Sequence, residues 1–350
     1  METFRIHVPQ AGLDDLHDRL DRTRWPSEIP DAGWDYGVPG RYVRELADRW
    51  RNGYDWRRTE ARLNAYPQGK TVIDGQPIHF LHVRSTAPDA LPLILTHGWP
   101  GSVAEFLDVI EPLRERFHLV VPSLPGFGFS GPTTERGWNI ARIARAWAEL
   151  MRRLGYERYG AAGNDWGSTI SPQIAVVAPE AVVGVHVTQL WTETDEPIDD
   201  PTPEEQAALD NHAWLAENMN AYGIVQMQQP QSLAYALDDS PVGLLGWHCL
   251  IYREGVDPDY VLDNVSIHWL TATAGSAMRI YREALLEPPL AWPSAVPVGY
   301  AQFADDYQPI RRLTPAVSQW HKYDLGGHYA AKQVPELLVK DLTEFFADLK

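Results

Sequence analysis

The chain has 350 residues, 44% of them hydrophobic and 22% charged, enough for a sizeable folded core. Its formal net charge of -17 argues against nucleic acid or an anionic membrane as a partner, because phosphate binding needs clustered Lys and Arg. The single cysteine, Cys249, excludes an intrachain disulfide and a cysteine-based zinc or iron–sulfur site. Inside "GWHCLIY" it reads as a small buried residue.

The N-terminus carries charges throughout and holds no apolar run long enough for a signal peptide or a membrane span, so a cytoplasmic protein is expected. Residues 1–60 read as a helical segment. Leu13, Leu16, Leu20 and Trp25, then Tyr42, Val43, Leu46, Trp50 and Tyr54, recur at helical spacing around the turn-forming "SEIPDAGWDYGVPG". From residue 61 to 189 the period changes to strands alternating with helices. "KTVIDGQPIHFLHVRS" reads as a hairpin around Asp74-Gly75 and "LPLILTHGWPGS" as a strand entering a tight turn. A helix over "VAEFLDVIEPLRERF", a strand over "HLVVPSLPGFG", a helix over "NIARIARAWAELMRRLG" and a strand over "RYGAAGND" follow. A helix starting near Trp166 and the strand "AVVGVHVTQ" complete this part. The alternation predicts a mostly parallel sheet flanked by helices. Between 190 and 290 it gives way to helices rich in Trp, Tyr and Met, the pattern of a lid, entered through the acidic loop "TETDEPIDDPTPEEQ". The strand–helix rhythm returns over 291–350 with "AVPVGYAQF", "VSQWHKYDLGGH" and a closing amphipathic helix.

Three places can carry chemistry. Strand, then Gly163-Asn164-Asp165-Trp166-Gly167, then helix is the context of a nucleophile elbow, where small residues let a strained turn close and the central side chain stands above the sheet. The same five residues in isolation would more often be an ordinary turn, so the strand–helix order carries the reading. "THGWPGS" (96–102) follows an earlier strand, where the α/β-hydrolase fold presents a backbone N–H to an oxyanion. The amides of Trp99 and Trp166 are the expected donors. Past the last strand, "DLGGHYAA" brings His328 into the third place of the chain order nucleophile, acid, histidine. The acid is expected after "VPVGYAQF", where Asp305 and Asp306 are adjacent and either could orient the imidazole.

With "LPGFGFS" (124–130), "LDDSPVGLLGW" (237–247) and the opening "FRIHVPQAGLDDLHDRLDRTRWP", these motifs resemble the microsomal-type epoxide hydrolase family and its soluble bacterial members. The match runs from about residue 3 to the C-terminus, and the N-terminal segment and "DSPVGL" are its most selective parts. The resemblance implies an α/β-hydrolase core carrying a helical lid and a wrapping N-terminal segment. It also implies Asp165 as nucleophile, His328 as base, and an acid at the fourth position of a stretch that reads Phe303-Ala304-Asp305-Asp306, hence Asp306. Ala304 replaces the usual Pro and Asp the usual Glu; the shorter side chain keeps Asp305 in play. Two lid tyrosines that open the ring are implied at Tyr222, in "AYGIVQ", and Tyr281, in "RIYREAL", with Tyr235 and Tyr252 as substitutes. Asn164 departs from the family's usual glycine beside the nucleophile.

A carboxylate nucleophile suits an alkyl carbon, since it leaves an ester that water can cut, whereas a serine would end as a stable ether. The expected partners are water and a small hydrophobic epoxide, xenobiotic or biosynthetic, with no cofactor or metal; a homodimer is left open. Trp191, Trp214, Trp247, Trp269, Met219 and Met227 are the lid side chains expected to bear on the substrate. Two rivals stand beside this reading. A haloalkane dehalogenase also uses an aspartyl ester, and Trp166 suits a halide; a non-catalytic binder could share the fold.

Overall fold

Asp74 and Gly75 both adopt positive φ, 49° and 80°, as the two-residue turn of a hairpin demands, and here the chain leaves its helical N-terminus for a sheet. The computed structural model describes residues 1–192, 194, 196–287, 292–293 and 295–349. The hairpin strands are β2 (Gln68–Ile73) and β3 (Gln76–Val83), and β1 (Glu2–Phe4) pairs with β2. The sequence reading did not anticipate β1, because three residues carry no readable period and the open edge of β2 makes the strand.

The remaining strands are β4 (Leu91–Thr96), β5 (Phe117–Pro122), β6 (Tyr159–Gly163), β7 (Val182–Val187), β8 (Val298–Gln302) and β9 (Gln319–Lys322). Among the described residues they form one nine-stranded sheet in the order β1-β2-β3-β5-β4-β6-β7-β8-β9. Pairing is antiparallel as far as the β3–β5 contact and parallel beyond it. The mostly parallel, helix-flanked sheet expected from the alternation is therefore present. Leu93, Ile94 and Leu95 of the central β4 are at most 1% exposed, which is why these strands read as continuous apolar runs.

Two expected elements differ. The helix expected from Val103 to Phe117 is a 3-10 turn, Val103–Phe106, and a single α-turn, Ile110–Leu113. Pro112 has no N–H to continue a ladder, and Glu105 is turned inward, 2% exposed, instead of facing solvent. The acidic stretch 192–206 is not all loop. Thr202 and Glu205 form a reciprocal capping box, Glu205 N donating to Thr202 Oγ1 and Thr202 N to Glu205 Oε2, and start the helix Pro203–Asn218. Glu193 and Asp195 of that stretch lie outside the described residues.

The N-terminal helices Gln10–Asp21 and Gly40–Asn52 bury Leu13, Leu16 and Leu20, and Tyr42, Val43, Leu46 and Trp50. Trp25 lies beyond the first helix, partly exposed under Arg44. The second helix faces Pro241–His248 and Pro258–Leu270 of the helical insertion. Trp50 Nε1 donates to Ser266 Oγ at 2.9 Å and Tyr42 Oη to the carbonyl of Tyr252 at 3.0 Å. No helix among the described residues is long and apolar enough to cross a membrane.

The C-terminal helix Pro335–Phe346 is tied to the sheet by a buried carboxylate. Asp341 accepts hydrogen bonds from His186 Nε2 (2.7 Å), His321 Nδ1 (2.8 Å) and Tyr323 Oη (2.5 Å). Burial alone would raise its pKa, but these donors outweigh burial and hold it at about 2. A folded pKa below the unfolded one stabilises the protein above the unfolded value, near 4, and that stability is lost as pH falls toward 2. Asp341→Ala, which strands the donors, is expected to destabilise the fold by about 3 kcal/mol at neutral pH in a denaturant titration.

Candidate active site

Asp165 sits between β6 and the helix Trp166–Val177 with φ 52° and ψ -120°, a strained conformation for a residue with a Cβ. The turn closes only because its neighbours are small. A Cβ on Gly163 would lie 2.3 Å from the Gly167 carbonyl oxygen, one on Gly167 1.9 Å from the Thr96 carbonyl oxygen, and one on Gly98 2.0 Å from Asp165 Oδ1. Gly167 N donates to the Asn164 carbonyl at 2.7 Å and Asp165 N to Gln189 Oε1 at 2.7 Å, which holds the strain in place.

The Asp165 carboxylate lies between an amide and an imidazole. Trp99 N donates to Oδ1 at 2.8 Å, and His328 Nε2 stands 3.5 Å from Oδ2, at ion-pair distance and longer than an ordinary hydrogen bond. Trp166 opens its helix, so its N–H has no intrahelical acceptor. Of the two expected oxyanion donors, the Trp99 amide meets the carboxylate, and Trp166 follows Asp165 in the chain.

His328 Nδ1 lies 3.0 Å from Asp306 Oδ1, which also accepts from Tyr307 N at 2.8 Å, while Gln189 Nε2 donates to Asp306 Oδ2. Asp305 is not part of this arrangement. Its backbone pairs with Gly326 and Gly327 and its side chain is exposed, so of the two adjacent acids only Asp306 reaches the imidazole. Burial pushes the His328 pKa down, but Asp306 and Asp165 outweigh it and hold the imidazolium well above its usual range.

Tyr222, on the helix Ala221–Gln228, and Tyr281, on Arg279–Leu286, converge on the same place. The Tyr222 ring stacks on Trp99 at 5.1 Å, and the Tyr281 ring meets Trp166 edge-on at 4.8 Å and Tyr222 at 6.0 Å. Burial first, and then the Asp165 charge among others, raises both phenol pKa values, so both stay proton donors. The substitutes are not placed with them. Tyr235 is 72% exposed, and Tyr252 packs with His248, Tyr260 and Tyr329.

Of the expected lid lining, Trp247 and Met227 pack into the cluster that holds Trp99, Trp166, Tyr222 and Tyr281. Trp191 and Trp214 are nearly half exposed, and Trp269 lies under Arg19 on the N-terminal side. Cys249 is fully buried and burial pushes its thiol up to about 12, which suits packing and not reaction. Sequence reasoning missed Gln189 and Glu105, which touch the site through Asp306 and Asn164; the one signal in the sequence was the unexpected Asn164.

Comparison with known proteins bears on the fold and the family. The family model described as epoxide hydrolase N terminus matches residues 1–106, and that of the alpha/beta hydrolase fold matches residues 92–251. The chain is 41% identical to the "Putative epoxide hydrolase" of Stigmatella aurantiaca (strain DW4/3-1), over 99% of this chain and 85% of the relative. It is 28% identical to epoxide hydrolase 1 of Sus scrofa, over 99% and 88%. Among solved structures, the epoxide hydrolase of Aspergillus niger superposes with a TM-score of 0.89 at 30% identity, covering 100% of this chain and 96% of that one. With 41% identity to one such relative over nearly the whole chain, and with both family models matching, the chain belongs to the epoxide hydrolase family, on the α/β-hydrolase fold.

Proposed function

We propose that the chain converts a hydrophobic epoxide and water into a vicinal diol through an alkyl ester on Asp165. The observation that carries the reading is the carboxylate of Asp165 held 2.8 Å from the Trp99 amide and 3.5 Å from His328 Nε2, under the phenols of Tyr222 and Tyr281. In the first half-reaction an oxygen of Asp165 attacks a ring carbon, the carbon–oxygen bond of the ring breaks, and the alkoxide takes a proton from a phenol. The phenol is reprotonated at the expense of the His328 imidazolium, which leaves the imidazole neutral.

Esterification also removes the Asp165 charge, one of the groups that raise the His328 pKa. The imidazole thus becomes a base only once the ester exists. It takes a proton from water, which attacks the carbonyl carbon of Asp165, and the amides of Trp99 and Trp166 stabilise the tetrahedral oxyanion. Collapse expels the diol, and the Asp165 carboxylate and the His328 imidazolium return together. The helical block 190–290 serves as a lid that supplies both phenols, and residues 1–60 brace it. Carbon–halogen cleavage has no use for the phenol pair, because a halide leaves without a proton whereas the epoxide oxygen stays attached and needs one.

The test is a single turnover of styrene oxide in water enriched in a heavy oxygen isotope, with enzyme in excess, followed by peptide mass analysis. The ester route places label in the peptide containing Asp165. Label in the diol alone would overturn it.

A further inference from the structure

A line of hydrogen bonds runs beneath the nucleophile, and the two half-reactions above leave it without a task. Asn164, 4% exposed, donates from Nδ2 to Glu105 Oε1 at 2.7 Å and accepts at Oδ1 from Thr188 Oγ1 at 2.7 Å and from Gln189 Nε2 at 2.8 Å. Gln189 Nε2 also donates to Asp306 Oδ2, and Gln189 Oε1 accepts from the Asp165 amide at 2.7 Å and from Ser168 Oγ at 2.9 Å. The path from Glu105 through Asn164, Gln189 and Asp306 to His328 is unbroken. It joins a carboxyl on the turn after β4 to the acid after β8, passing under the elbow.

Glu105 is 2% exposed and forms no ion pair with Lys or Arg among the described residues. Burial pushes its carboxyl up to about 8, with Asp165 adding to the rise and Asn164 and His328 opposing it. The other titratable groups that feel it are Tyr252, Tyr260 and Tyr329, whose phenols are raised first by burial and further by Glu105 among other groups.

We propose that Asn164 and Gln189 are positioning residues of the hydrolytic half-reaction, coupling the Glu105 carboxyl to the Asp306–His328 pair. The inference rests on Asp165 being the nucleophile. As His328 takes a proton from water, the imidazolium that forms favours ionisation of Glu105, whose proton is released to solvent, and the Glu105 carboxylate stabilises that imidazolium in turn. Asn164 and Gln189 meanwhile fix the second oxygen of Asp306, which keeps the first on the imidazole. With Gly at position 164 the link from Glu105 to Gln189 is gone, and Gln189 keeps only its bonds to the Asp165 amide, Thr188, Ser168 and Asp306.

The experiment follows the alkyl-enzyme by rapid quench and intact mass under single turnover of styrene oxide, between about pH 6 and pH 9, in wild type, Asn164→Gly and Glu105→Gln. Formation of the adduct is expected to stay within about threefold of wild type and its decay to slow by about tenfold in both variants. In Glu105→Gln the rise of decay with pH should also move to lower pH, because the imidazolium has lost a neighbouring acid. Glu105→Gln preserves the volume and the Asn164 hydrogen bond, so it tests the charge even where Asn164→Gly loosens the fold. Formation and decay falling together, or decay keeping its wild-type rate and pH dependence, overturns the coupling. If wild type itself forms no adduct, the nucleophile assignment fails and the coupling falls with it.

Discussion

His328→Gln is expected to stop turnover after one event, with the protein accumulating as an adduct one substrate molecule heavier than the free enzyme. Attack by Asp165 needs no base, whereas hydrolysis of the ester does, so the loss should fall on decay of the adduct by roughly 10² to 10⁴-fold. Intact-mass analysis after a brief quench separates the two steps. Wild-type adduct decay should climb with pH, because His328 of the alkyl-enzyme, with the Asp165 charge gone and Asp306 still raising its pKa, acts as a base only in its neutral form. In the variant this climb should be absent. An adduct that decays at the wild-type rate would remove His328 from the role of base.

Tyr222→Phe and Tyr281→Phe are expected to act on the other step. Each removes one hydrogen-bond donor to the ring oxygen, worth about 10²-fold in the rate of adduct formation, while decay of any adduct formed stays near wild type. The two rings touch, so their effects should not simply multiply in the double variant. Because burial and Asp165 hold both phenols above their ordinary pKa, wild-type adduct formation should show no loss from phenol ionisation at mildly alkaline pH. Stopped-flow fluorescence is suited to the measurement, since Trp99 and Trp166 touch these rings. Unchanged formation in both single variants would place the proton donor elsewhere.

Much of this site was legible because its chemistry imposes unusual residues on unusual backbone. Gly163 and Gly167 on either side of the aspartate follow from a turn in which a Cβ at either would strike backbone, so the glycines of the motif are a steric requirement written in sequence. His328 was recoverable from chain order after the last strand. Tyr222 and Tyr281 were not distinguishable from the other tyrosines by residue type, and only the family resemblance selected them, since a ring's position above a sheet leaves no local trace.

The sequence by itself determined the alternation of strands and helices and the glycine-flanked elbow, and pointed to Asp165 and His328, because these depend on local period, turn sterics and order along the chain. The tertiary structure decided between Asp305 and Asp306. Pairing of the Asp305 backbone with the glycine loop turns one side chain out and the next one in, and neighbours in sequence cannot reveal that parity. It also turned Glu105 inward against Asn164, where a carboxyl in "VAEF" would otherwise read as the solvated face of a helix. Burial is a property of what the rest of the chain brings alongside, and burial is what raises the pKa of that carboxyl.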